Sequence, residues 1–231
     1  MNLIKRTIFA ASLCALAGTA SAEAVSLSKL GGLTGGTLGM TAVYRADLST
    51  LSLGTIQSIG ITDSSAGLGG AVGQFSGFDL DAIKLSTTFC ADAACAASAA
   101  GLSLFDFLGG TLFTPGGQRP PAEAQLFGTG AGGTTVNDAM ATLGLFDGES
   151  TTAIPGAFGF LSMGDNGSIN FNLAAAVSTA GLYLYIGEVG DNGEVAASSV
   201  VVRQNTVPEP GSLALAGLAL LGLAAARRRR A

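Results

Sequence analysis

Short runs of apolar and β-branched residues, interleaved with polar ones, recur through the middle of this chain. They read "MTAVYRADL" from Met40, "LGTIQSIGIT" from Leu53, "FDLDAIKLSTT" from Phe78 and "AFGFLSM" from Ala157. Three more follow: "SINFNL" from Ser168, "GLYLYIGEV" from Gly181 and "EVAASSVVVRQ" from Glu194. Each has strand length and lies between Gly, Asn, Asp and Ser residues that favour turns. Runs of this length and spacing predict an all-β domain, a β-sandwich or jelly roll. One stretch, "TVNDAMATLGLF" from Thr135, instead sets Met140, Leu143 and Leu145 near helical spacing, with Asn137 as a candidate cap.

The chain begins differently. Lys5 and Arg6 precede an apolar run over 8–17, and Ala20-Ser21-Ala22 follows it. A basic start, a short oily centre and an A-x-A site make a secretory signal peptide, cut between Ala22 and Glu23 by signal peptidase. The run is too short to remain as a spanning anchor. The chain therefore divides into a signal peptide at 1–22, a β-rich extracellular domain at 23–206 and a tail at 207–231.

That division changes the charge. The whole chain sums to −5, but over 23–206 only Lys29, Arg45, Lys84, Arg119 and Arg203 face fifteen acids, a net charge of −10. An acidic domain with no basic stripe repels nucleic acid and anionic membrane surfaces, so nucleic acid is excluded as a partner. Cys14 leaves with the signal peptide, and the mature chain keeps Cys90 and Cys95. Exported thiols this close pair as a disulfide, a local staple contributing about 2 kcal/mol. A redox role would want C-x-x-C spacing and basic neighbours, and neither is present.

Catalytic chemistry has little to work with. Histidine is absent, which removes Ser-His-Asp and Cys-His catalysis and histidine metal sites. A glycosidase needs two carboxylates, and Glu149, Glu188 and Glu194 are candidates that nothing in the sequence ranks. Sugar platforms stack aromatic rings. Trp is absent, which leaves Tyr183 and Tyr185, on one strand face, as the candidates.

Gly164-Asp165-Asn166-Gly167 and Gly190-Asp191-Asn192-Gly193 repeat one tetrapeptide. Asn-Gly suits both central positions of a type I′ turn, so both copies are predicted as exposed hairpin turns. The alternative is a structural Ca²⁺ held by Asp165, Asp191 and Glu194. Asp79 and Asp81 would share a strand face, as a further calcium pair or, in the preferred reading, as a solvated face. Residues 128–133 match G-x-G-x-x-G, but the β-rich surroundings lack the βαβ unit that a dinucleotide site requires.

The chain closes on "VPEPGSLALAGLALLGLAAARRRRA". Pro210-Gly211 would start a helix sharply, and 213–226 is an unbroken apolar run, about 21 Å long as a helix. Arg227, Arg228, Arg229 and Arg230 would stop it and stay in the cytoplasm. A Pro-Glu-Pro, an apolar helix over 212–226 and a terminal arginine cluster, in that order, resemble the PEP-CTERM sorting signal of Gram-negative bacteria. The resemblance implies that an exosortase recognises Pro208, Glu209 and Pro210, and that the helix resides in the inner membrane only transiently. It also implies a cell-surface or extracellular-matrix destination, in company with exopolysaccharide and biofilm. The same kind of tail occurs on some ice-binding proteins. The region from Phe158 to Ser198 is more loosely similar to domains of other PEP-CTERM proteins.

The function expected from all this is non-enzymatic: an exported surface or matrix protein without a cofactor, with signal peptidase, exosortase and exopolysaccharide as partners. A carbohydrate- or ice-binding module is the alternative and a secreted glycoside hydrolase the third reading.

Overall fold

The computed structural model describes residues 21–36, 38–64, 71–149, 159–194 and 199–206. Of the expected signal peptide only Ser21 and Ala22 fall within them, and the tail from 207 lies outside.

Two five-stranded antiparallel sheets pack face to face. The first runs in the order β1 (Ala22–Ala24), β10 (Ser199–Arg203), β4 (Thr55–Thr62), β8 (Ser168–Ser178), β6 (Thr111–Thr114). The second runs β2 (Ser28–Thr34), β3 (Thr41–Asp47), β9 (Tyr183–Val189), β5 (Asp79–Ser86), β7 (Leu161–Ser162). The all-β expectation holds in these sheets. Alternation explains their seam: Ile169, Phe171 and Leu173 point inward from β8 to meet Leu184 and Ile186 from β9 in one core.

The second sheet is covered on its outer face as well. There Val43, Ala82 and Tyr185 pack against Leu30, Cys90, Ala93, Ala96 and Phe146. The cover is helix α1 (Ala93–Ser98) and the 142–149 loop. This corrects the reading of Asp79 and Asp81 as a solvated face, since both are buried. Asp81 accepts from Thr41 Oγ1 at 2.6 Å and from the Gly148 backbone N–H at 2.9 Å, so it pins the covering loop to β3. Lys84 serves the helix in the same way. Its ammonium donates to the carbonyls of Ala96, Ala97 and Ala99 at the C-terminal end of α1, where cations are favoured.

Other local expectations change too. The helix predicted around Asn137 shrinks to α2 (Asp138–Ala141), which ends at a left-handed Thr142. Each Gly-Asp-Asn-Gly copy joins strands of different sheets, β7 to β8 and β9 to β10, rather than closing a hairpin. In the first, the Gly167 N–H donates to the Gly164 carbonyl, and Asn166 alone of the central pair takes positive φ. Gly128, the first glycine of 128–133, has a packing role: its φ is +75°, and a Cβ there would collide with the Phe160 carbonyl.

Cys90 and Cys95 are bonded as a disulfide with Cα atoms 5.4 Å apart. Four of the five residues from Ala91 to Cys95 lie in or cap the start of α1, where the Asp92 carboxylate accepts from the Cys95 N–H at 2.8 Å. The hydroxyl of buried Tyr185 donates to the Thr88 carbonyl at 2.7 Å and accepts from the Cys90 N–H at 2.9 Å. Changing Tyr185→Phe is therefore expected to lower stability by about 1–3 kcal/mol, because it strands a buried N–H. Urea unfolding of oxidised protein measures this, and a loss below about 0.5 kcal/mol would refute the clamp.

Candidate functional site

Three acids gather where β5 begins and β9 runs out into the second Gly-Asp-Asn-Gly segment. Leu80 on β5 pairs with Glu188 on β9, and the adjoining Asp79 is near enough to feel the Glu188 charge. Glu188 and Glu194 are both fully buried, at 0% exposure. Glu188 Oε1 accepts from the Glu194 backbone N–H at 2.9 Å, and Glu194 Oε2 accepts from the Asp79 backbone N–H at 3.1 Å. Ser162 on β7 donates its hydroxyl to Asp79. The acids thus tie β5, β7 and the 190–194 segment into one corner.

Their electrostatics follow from burial. Loss of water pushes Asp79 well above the usual carboxylate range, and neighbouring Glu194 adds to the shift. Burial pushes Glu188 up in the same direction. It drives Glu194 to about 8, with Glu188 and Asp63 adding to the rise. Tyr44, inside the same seam, is also raised, by burial first and then by Glu188.

A cavity of about 320 Å³ opens beside this corner, walled by Asp79, Glu149, Phe75, Phe160, Val189 and Asn192 among others. Phe75, Phe127 and Phe160 form an aromatic cluster behind it, with ring centroids 4.8–6.1 Å apart. Of the three glutamates named as hydrolase candidates, only Glu149 lines the cavity; Glu188 and Glu194 are enclosed.

The remaining sequence candidates are dispersed. Asp165 is held by Arg119, whose guanidinium donates to both carboxylate oxygens. Asp191 pairs with Lys29. Glu194, expected on an exposed turn, is turned inward to the Asp79 backbone because its chain folds back over the sheet end. Among the described residues, no three His, Cys, Asp or Glu side chains converge as a metal centre would need. Tyr183 is partly exposed, whereas Tyr185 is buried under the disulfide loop. Glu23 lies in β1 opposite Val202, and its carboxylate accepts from the backbone and hydroxyl of Ser52. Pro208, Glu209, Pro210 and Arg227 to Arg230 lie outside the described residues, as does the expected transmembrane helix at 212–226. Among the described residues no helix is long and apolar enough to cross a membrane. Ser162, Arg119 and Tyr44 had no signal in the sequence, since each acquires its role only through a distant strand.

The buried acids set a direction of pH dependence. A carboxyl raised from 4.5 to about 8 in the fold leaves stability full below pH 4.5 and lowers it as pH climbs toward 8. Urea midpoints are therefore expected to fall between pH 5 and pH 9, by an equivalent on the order of 2 kcal/mol. Glu194→Gln should flatten that decline. An equally steep decline in the variant would show that Glu194 carries no such linkage.

No curated protein and no solved structure matches the chain. A family model, described as the PEP-CTERM protein-sorting motif, matches residues 206–230. The match starts three residues after β10 ends, so the sandwich hands over directly to the sorting segment. This chain carries a PEP-CTERM protein-sorting motif, which marks it for export and exosortase-directed sorting to the cell surface.

Proposed function

We propose that residues 23–206 form the non-enzymatic body of a surface or extracellular-matrix protein that associates with its producer's exopolysaccharide. The observation that carries this reading is the sorting motif at 206–230, set immediately behind the last strand. Signal peptidase would release the body after Ala22. An exosortase would act at Pro208-Glu209-Pro210 while the apolar segment at 212–226 holds the chain in the membrane and Arg227 to Arg230 stop it.

A body without catalysis fits its chemistry. The chain has no histidine, and its buried acids are engaged in hydrogen bonds that join strands. The body also needs no cofactor in this reading, because Asp165 and Asp191 already pair with Arg119 and Lys29.

Two measurements test it. Intact mass of the protein from the producer's surface should correspond to a chain that begins at Glu23 and lacks the four arginines. Arginines still attached in a strain with active exosortase would overturn the processing. Producer exopolysaccharide should be retained by the immobilised body without being shortened. Turnover that vanishes in Asp79→Asn or Glu149→Gln would instead make the Phe-walled cavity an active site.

A further inference from the structure

The disulfide loop presents Phe89 to solvent at 57% exposure. One exposed apolar side chain is ordinary on a protein surface. What distinguishes this one is how firmly its surroundings are fixed. The single hydroxyl of Tyr185 bonds to the residue before it and the residue after it. The Cys90 carbonyl accepts from Arg45 Nη1 at 2.6 Å, and Cys90 is locked to Cys95. The Thr88 N–H donates to Ser86 Oγ at 3.2 Å. An exposed ring on a backbone clamped at four points is organised in advance of any ligand, so binding would not have to order it.

Arg45 and Tyr183 complete the corner. The Arg45 guanidinium lies over the Phe89 ring, 4.2 Å from its centroid, and Tyr183 meets Phe89 edge-on at 5.6 Å. Arg45 pairs across the sheet with Ser28 and Tyr185, and Asp47 with Tyr183, which places the corner on the outer face of the second sheet. Arg45 also lines a cleft of about 270 Å³ with Ser26, Ser28, Asp47 and Thr50. Asp47 is already engaged, accepting from the Ser49 backbone and hydroxyl.

A domain of net charge −10 repels a polyanion as a whole, so an acidic ligand has to be met one carboxylate at a time, by a cation with no carboxylate of its own. Lys29 and Arg119 are neutralised by carboxylates, Lys84 is taken up by three carbonyls, and Arg203 bonds to Asn170. Among the described residues Arg45 has no carboxylate in ion-pair range, and its hydrogen-bond partner is a carbonyl. A guanidinium fork matches a carboxylate, an aromatic ring takes the C–H face of a sugar, and the cleft's hydroxyls suit sugar hydroxyls.

We propose that Phe89, Arg45 and Tyr183, with the adjoining hydroxyl-lined cleft, form a binding site for one acidic sugar residue of a polysaccharide. The proposal rests on the exopolysaccharide reading and names the side chains that would carry it.

Calorimetric titration of the mature protein with hexagalacturonic acid and with its methyl ester, which lacks the charge, tests the site. Phe89→Ala should weaken binding of the acid by about tenfold, the usual scale of a lost aromatic contact. Phe89→Trp should preserve it. Arg45→Gln should weaken the acid by about tenfold and the ester by markedly less, the smaller loss reflecting the released Cys90 carbonyl, and added salt should act on the acid alone. Unfolding midpoints of the variants confirm that each is folded before it is titrated. Unchanged affinity in folded Phe89→Ala, equal binding of acid and ester, or no binding of the acid would each overturn the site. Producer polymer retained equally by wild type and Phe89→Ala also overturns the site but leaves the matrix reading intact. Polymer retained by neither overturns both.

Discussion

The middle of the second sheet, where β3, β9 and β5 run side by side, is covered on both faces over much of its length, and most of the structure's polar arrangement follows from that constraint. Once α1 and the 142–149 loop cover β3, β9 and β5, every polar group on that outer face needs a partner inside the protein. Asp81 finds Thr41 and Gly148, Lys84 finds the end of α1, and Tyr185 finds the disulfide loop. All of these partners except Thr41 belong to the covering segments, so the same bonds that satisfy these groups also attach the cover. Charge in this sheet is therefore architectural before it is functional.

The same constraint decides what could be read from sequence. Strands β3, β4, β5, β8, β9 and β10 were legible because each is a short β-prone run set off by turn residues, which holds whether one face is buried or both. β2 was not: its "SKLGGLT" places two glycines at a register shift, so the pattern breaks where the strand bends. β1 and β6 are too short to show a period. Helix α1 had a readable start in Asp92, but its Ala-rich body looks like a loop between two cysteines. The second covering layer was illegible, since nothing in "FDLDAIK" tells an acid facing water from one under a loop.

Among the site residues, the sorting motif was read from the linear sequence because its three parts are contiguous and need no fold. The acids at the β5–β9 corner are far apart in sequence, from Asp79 to Glu194, and only strand pairing brings them together. Of the two β9 tyrosines that the sequence offers to a sugar, Tyr185 is buried and supports the backbone beside the disulfide, and only Tyr183 reaches the surface. The exposed ring lies beside the disulfide, on a residue whose neighbours carried the visible signal. Rigidity supplied by Tyr185 and display by Phe89 are separate tasks that sequence alone merges.

The pairing of the first strand with the last also orders events in time. Ala22 is the register partner of Arg203, Glu23 of Val202, and the Ser21 carbonyl accepts from the Gln204 N–H. The peptide bond between Ala22 and Glu23 is thus paired within a sheet, and a protease would have to detach it from β10 before binding it. Its partner strand is synthesised within a few residues of the sorting motif, so it emerges from the membrane nearly last. A leader cut at that bond would have to depart while the sandwich still lacked its closing edge, and completing the edge would then hide the scar.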